Sequence, residues 1–285
     1  KAIKCTLFIK KEIGYMQYNV FDMSVEGSVG NPTLTTYVID FSPALKNNDR
    51  PMIIICPGGG YSHVSDREGE LLAMQFLAAG FHTAVLKYSV EPARFPTQLK
   101  ELAKAVALVR SHAEEWHIIK DKIIIQGSSA GGHLAASLGC FWKQRTILGE
   151  LSDEEIEFIR PNGLILSYPV ITSGEHAHVG SFQALLGDKY EEYKEVLSLE
   201  LQVNENTPKT FLWHTFEDGS VPVENTLLFI QALKKQNIPF ECHIYPKGIH
   251  GLSLGNELTL GVNESELQPE VTTWVELAKT FVANF

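Results

Sequence analysis

The segment Gly127-Ser128-Ser129-Ala130-Gly131-Gly132 limits what this chain can fold into more than any other stretch. It follows the apolar run Ile123-Ile124-Ile125-Gln126 and leads into the helical pattern His133-Leu134-Ala135-Ala136. Strand, G-x-S-x-G and helix in that order form a nucleophile elbow, a sharp turn that holds a serine hydroxyl clear of its own backbone. The turn needs close backbone approach on both sides of the serine, which Gly127 and Gly131 permit around Ser129. Ser128 does not meet that condition, because Gln126 stands two residues before it. The plainer reading is an ordinary Gly/Ser loop, so other segments must discriminate.

From Pro51 onward strand-like and helix-like segments alternate. Apolar runs lie at 52–56, 81–86, 122–126, 163–167, 210–214 and 240–245, and helical spacing at 68–79, 97–115, 223–236 and 270–282. Such alternation predicts an α/β domain with a mostly parallel central sheet and helices on both faces. Sites in these sheets lie at the carboxyl ends of strands. Before Pro51, the alternating runs 16–22 and 34–41 read as an antiparallel hairpin. Residues 152–158 start with the Ser-x-x-Glu signature of a capping box. Residues 172–209 interrupt the rhythm for longer than a structureless connection allows. They are expected to fold as short helices over the carboxyl edge of the sheet, as a small lid. A single domain over 1–285 suits an α/β fold of this length.

The formal net charge of −10 argues against nucleic acid, whose binding needs Lys and Arg against phosphates, and equally against an anionic membrane surface. No apolar stretch approaches the ~18 residues of a membrane-spanning helix, and no secretory leader pattern opens the chain. Cys5, Cys56, Cys140 and Cys242 are widely spaced without a C-x-x-C pair, which fits free thiols in a reducing compartment. A cytoplasmic location is the expectation, and homo-oligomers are left open.

A serine hydroxyl needs a base within hydrogen-bond reach, and the base needs a carboxylate to orient it. The run 210–214 ends in Thr215-Phe216-Glu217-Asp218-Gly219-Ser220, and the run 240–245 ends in Pro246-Lys247-Gly248-Ile249-His250-Gly251. An acid after one strand, Asp218 or Glu217, and a histidine after the next supply both groups. Other histidines are poorer candidates: His112 and His117 belong to a helix and its exit, His82 and His243 to strands, and His133 packs behind the elbow. His214 precedes the acid, and His176-x-His178 lacks the further ligands of a metal site. The oxyanion of an acyl-transfer intermediate needs donors, one being the amide after the nucleophile, Ala130. The run 53–56 ends in Pro57-Gly58-Gly59-Gly60-Tyr61, whose amides can turn inward unobstructed. The Lys and Ser/Thr of a phosphate-binding loop are missing from it.

With Arg67-Glu68-Gly69-Glu70, Tyr88-Ser89-Val90, Phe211-Leu212-Trp213-His214 and Val221-Pro222-Val223-Glu224-Asn225 added to these motifs, the chain from about residue 51 resembles α/β-hydrolases of the acetyl-esterase type. Bacterial feruloyl and acetylxylan esterase domains are its neighbourhood. The resemblance implies Ser129 as nucleophile, Asp218 as orienting acid and His250 as base, with Gly59 and Gly60 joining Ala130 as oxyanion donors. Pro57 stands where HGGG enzymes carry histidine, which points to the sugar-ester branch. Tyr61 and His63 are expected to line the pocket, and Arg67 and Glu68 to form a structural pair behind the glycine loop. The implied activity is a cofactor-free serine carboxylesterase removing short acyl groups, acetyl foremost, from an acylated sugar or similar alcohol. The alternatives are a prolyl-oligopeptidase-like serine peptidase and a non-catalytic small-molecule binder. The first usually carries a large extra domain and the second usually loses a triad residue.

Overall fold

A computed structural model describes residues 16–149 and 151–285; Cys5 lies outside them. Eight strands form one sheet: β1 (Gln17–Asp22), β2 (Thr33–Val38), β3 (Arg50–Cys56), β4 (His82–Lys87), β5 (Ile118–Ser128), β6 (Gly163–Ser167), β7 (Thr210–Thr215) and β8 (Phe240–Tyr245). Their order is β1-β2-β4-β3-β5-β6-β7-β8. β1 and β2 form the expected antiparallel hairpin, and β2 also meets β4 antiparallel. Every other neighbouring pair is parallel. This is the mostly parallel α/β-hydrolase sheet.

The central strands read as continuous apolar runs because both of their faces are covered. Successive side chains of a strand point to opposite faces. Ile54 and Cys56 accordingly enter one core, and Ile53 and Ile55 the other. The helices are α1 (Glu70–Ala78), α2 (Thr97–Ser111), α3 (Ala130–Phe141), α4 (Arg145–Leu148), α5 (Asp153–Phe158), α6 (Val179–Leu186), α7 (Tyr190–Tyr193), α8 (Glu224–Lys235) and α9 (Trp274–Ala283). α2, α3 and α8 bury Leu102, Leu138 and Phe229 on the first face. α1 and α9 bury Phe76 and Trp274 on the second. α3 lies under the sheet centre and is buried along its whole length.

Element boundaries moved where polar side chains mislead. β5 begins at Ile118, four residues before the apolar run, and pairs there with Arg50 across a register shift. The intervening Lys120-Asp121-Lys122 hides it. α9 begins at Trp274, after a 3-10 turn. Thr272 and Thr273 donate their hydroxyls to the carbonyls of Pro269 and Glu270, which competes with regular helix. The capping box holds: Ser152 Oγ accepts from the Glu155 amide at 3.2 Å, and Glu155 Oε2 from the Ser152 amide at 2.8 Å. Residues 172–209 carry α6, α7 and short 3-10 turns. Phe182, Leu185, Leu197 and Leu199 anchor them in the core shared with α2 and α3.

The elbow depends on backbone packed against backbone. A Cβ on Gly131 would sit 2.0 Å from the Cys56 carbonyl oxygen, and one on Gly127 would sit 2.2 Å from that of Gly131. No side chain fits where α3 meets the ends of β3 and β5. Gly131→Ala is therefore expected to lower the unfolding free energy by about 3 kcal/mol or more. Gly219→Ala, with nothing within 4 Å of the added methyl, should stay within about 0.5 kcal/mol. Urea unfolding of the two variants checks this.

Candidate active site

Ser129 follows β5 and caps the start of α3 with φ 54° and ψ −119°. A non-glycine residue there is strained by roughly 1–3 kcal/mol, which the surroundings must offset. Its amide donates to the Ser167 carbonyl at 3.0 Å, and its carbonyl accepts from Val170 and His133 at 3.1 Å each. Ser128 is buried, and its Oγ accepts from Gln126 Nε2 at 3.1 Å. The hydroxyl facing the cavity is that of Ser129.

Ser129 Oγ lies 2.8 Å from His250 Nε2, and His250 Nδ1 lies 2.6 Å from Asp218 Oδ2. The carboxylate beside Nδ1 selects the tautomer with its proton there, leaving Nε2 to accept from the serine. The other oxygen, Asp218 Oδ1, accepts from the amides of Ser220 at 3.0 Å and Val221 at 2.9 Å. Glu217, the alternative acid, is exposed. His214 adds a second imidazole. Its Nε2 donates to the Val221 carbonyl at 2.9 Å and lies 3.3 Å from Asp218 Oδ2. Burial works against the charge on Asp218. Hydrogen bonds from His214 and His250, the field of His250 and the Val221 amide outweigh it and hold the carboxyl well below the usual range.

Gly59 and Gly60 adopt φ of +123° and +63°, which turns the loop after β3 over Ser129. The Gly58 amide is occupied, donating to Glu68 Oε2 at 2.8 Å. Among the described residues, the amides of Gly59, Gly60 and Ala130 have no acceptor. Glu68, 4% exposed, also accepts from the Tyr168 hydroxyl at 2.5 Å, and that oxygen accepts from the Ser253 amide at 2.9 Å. The Tyr168 ring stands edge-on to His250, with centroids 5.1 Å apart. One carboxylate thus ties the glycine loop to the histidine loop.

Ser129, His250, Gly59, Gly60, His63 and His178 line one cavity of about 350 Å³. A larger, more apolar cleft of about 590 Å³, beside α2 and α5, contains none of them. Tyr61 is corrected: its ring is 1% exposed and its hydroxyl donates to His133 Nδ1 at 2.9 Å. Burying the ring while giving its hydroxyl a partner takes it away from the cavity. Its partner His133 has the other nitrogen, Nε2, against the Leu197 carbonyl at 2.9 Å, and burial lowers its pKa to about 4. The Arg67–Glu68 pair is corrected as well. Arg67 pairs with Glu266 at 2.7 Å and donates to the Thr259 carbonyl, leaving Glu68 to the glycine loop.

His178, His214 and Tyr168 were missed as site residues. No motif marks them; they meet the site only because the insertion, β7 and the end of β6 converge there. Of the His176-x-His178 pair only His178 lines the cavity, and the described residues hold no group of three metal-ligating side chains.

Two outcomes are expected. Asp218 has a folded pKa below its unfolded ~3.9, so its stabilisation is complete above that value and lost as pH falls through the lower folded value. The stability gap between the native protein and Asp218→Asn should therefore close as pH falls below about 4, as read by urea unfolding across pH. Glu68→Gln places an amide NH2 against a donor and should cost about 1–3 kcal/mol in the same assay.

The BD-FAE family model matches residues 40–233. Endo-1,4-beta-xylanase B of Butyrivibrio fibrisolvens is 38% identical over 224 residues, covering 75% of this chain and 34% of that protein. An acetylxylan esterase of Xylanibacter ruminicola is 29% identical over 212 residues, covering 71% of this chain and 41% of the relative. The chain thus spans well under half the length of either. Among solved structures, an acetyl ester-xyloside bifunctional hydrolase from Caldicellulosiruptor lactoaceticus superposes with a TM-score of 0.80 at 34% identity, covering 93% of this chain and 96% of its own. The chain belongs to the BD-FAE family and has the α/β-hydrolase fold.

Proposed function

We propose that this chain is a serine carboxylesterase that removes short acyl groups, acetyl foremost, from a sugar or similar alcohol. The observation that carries the reading is the unbroken hydrogen-bond chain from Ser129 through His250 to Asp218, opening onto a cavity lined by Gly59 and Gly60, whose amides have no acceptor among the described residues. The relatives named for acetylxylan and acetyl ester hydrolysis support the substrate class.

In this mechanism Ser129 Oγ attacks the ester carbonyl while His250 Nε2 takes its proton. Asp218 stabilises the resulting imidazolium through Nδ1–H, and its low proton affinity keeps the carboxylate charged. The oxyanion rests on the amides of Ala130, Gly59 and Gly60. These are fixed before reaction, so no reorganisation opposes charge development. His250 then returns the proton to the departing alkoxide, and the acyl group stays on Ser129. Water, activated by the same imidazole, attacks the acyl-enzyme and frees the acid. No metal or organic cofactor enters these steps. Residues 172–209 serve as a lid-like wall, with His178 as their contribution to the cavity.

The test is hydrolysis of p-nitrophenyl acetate by the native protein and Ser129→Ala. The variant is expected to lose at least about four orders of magnitude in kcat with its unfolding midpoint retained. Equal rates in the two proteins would overturn the reading. Across acyl lengths on one alcohol, kcat/KM should fall as the chain lengthens, since the cavity wall is lined by histidine, serine, glycine, Arg67 and Glu68 rather than by aliphatic side chains.

A further inference from the structure

The hollow that holds Ser129 does not end at the glycine loop. A second compartment, of about 360 Å³, shares Gly60, Ser62 and His178 with it and continues to Glu91 and Gln183. Each is of the size expected for a small-molecule site.

The groups around the second compartment are polar and held in place. Arg94 donates to Glu91 Oε1 at 3.1 Å and also to the Ala184 carbonyl, so it braces the wall that carries Glu91 against α6. Ser62 Oγ donates to the Gly59 carbonyl at 3.0 Å and meets His63 Nδ1 at 3.3 Å, which leaves it one lone pair to accept. The Gln183 amide is exposed and has no hydrogen-bond partner among the described residues. His178 caps α6. Its Nδ1 accepts from the Ser181 amide at 3.3 Å and faces Ser181 Oγ at 2.8 Å. An amide can only donate, so Nδ1 is bare and the ring proton sits on Nε2.

The compartment thus offers a carboxylate acceptor, an amide that both donates and accepts, a hydroxyl acceptor and an imidazole donor. An acyl chain placed there would strip these groups of water and return nothing. A sugar ring carries several hydroxyls, each donor and acceptor, and satisfies them.

We propose that this second compartment is the subsite for a neutral sugar on the alcohol side of the ester, with Glu91 and Gln183 as specificity-determining residues that bond its hydroxyls. His178 donates from Nε2 to a sugar oxygen between the two compartments. The assignment rests on the esterase reading of Ser129.

The experiment compares a monoacetylated methyl pyranoside with cyclohexyl acetate, which has the ring but no hydroxyls. In the double variant Glu91→Ala/Gln183→Ala, the ratio of kcat/KM for the sugar ester to that for cyclohexyl acetate should fall about tenfold or more, mainly through KM. Glu91→Gln with Gln183 intact keeps an acceptor oxygen and should recover part of the ratio. An unchanged ratio, or an equal loss on both esters, would overturn the subsite. Binding of the unacetylated methyl pyranoside to Ser129→Ala protein, followed by NMR titration, separates this proposal from the catalytic one. Weaker binding after the double substitution supports the subsite, and equal binding refutes it, even where neither ester is hydrolysed.

Discussion

The tight backbone packing at the elbow glycines is the constraint on which the rest depends. Gly131 lies against the Cys56 carbonyl and Gly127 against that of Gly131. This contact brings the start of α3 onto the ends of β3 and β5, and Ser129 has no relaxed conformation left to it. The serine takes its left-handed φ because its amide and carbonyl are both bonded there, to Ser167 and to Val170 and His133. Three parallel strands, one helix and one hydroxyl are positioned together. The same contact places the loop after β3 above the serine, where the amides of Gly59 and Gly60 are left without intramolecular acceptors among the described residues.

Around that point the molecule uses buried carboxylates as rigid joints. Glu68 spans the glycine loop and, through Tyr168 and Ser253, the segment that carries His250. Asp218 is shared by two imidazoles and two amides. A carboxylate out of water is costly unless each oxygen is bonded, and here both are. The ionised form of Asp218 is thereby favoured over its neutral acid, as the proposed esterase mechanism requires. His214 contributes to that balance from within β7 without facing the cavity.

Much of this was legible in the chain because local rules agreed. The Ile-rich runs of β3 and β5, the glycines of the elbow and the order of strand-end serine, acid and histidine each answer to spacing along the sequence. Where local rules conflict, the reading slipped. Polar Lys120-Asp121-Lys122 concealed the first part of β5, and threonine hydroxyls delayed α9. Tyr61 looked like a pocket residue because it follows the glycine loop, yet a large ring gains more from burial against His133 and Tyr88 than from exposure. Arg67 and Glu68 are neighbours in sequence, but their side chains diverge to Glu266 and to Gly58.

The sequence by itself determined the alternation of strands and helices, the elbow that only glycine neighbours allow, and the short set of residues able to serve as acid and base. It could do so because backbone sterics and hydrophobic periodicity act over a few residues. Tertiary structure decided which groups meet. It brought His250 to Ser129 across 121 residues of chain and placed Asp218 rather than Glu217 against it. It also bridged two loops through Glu68 and carried His178 in from residues 172–209. Those meetings arise from how elements pack on the sheet, and no spacing along the chain encodes the distance between side chains that converge from separate strands.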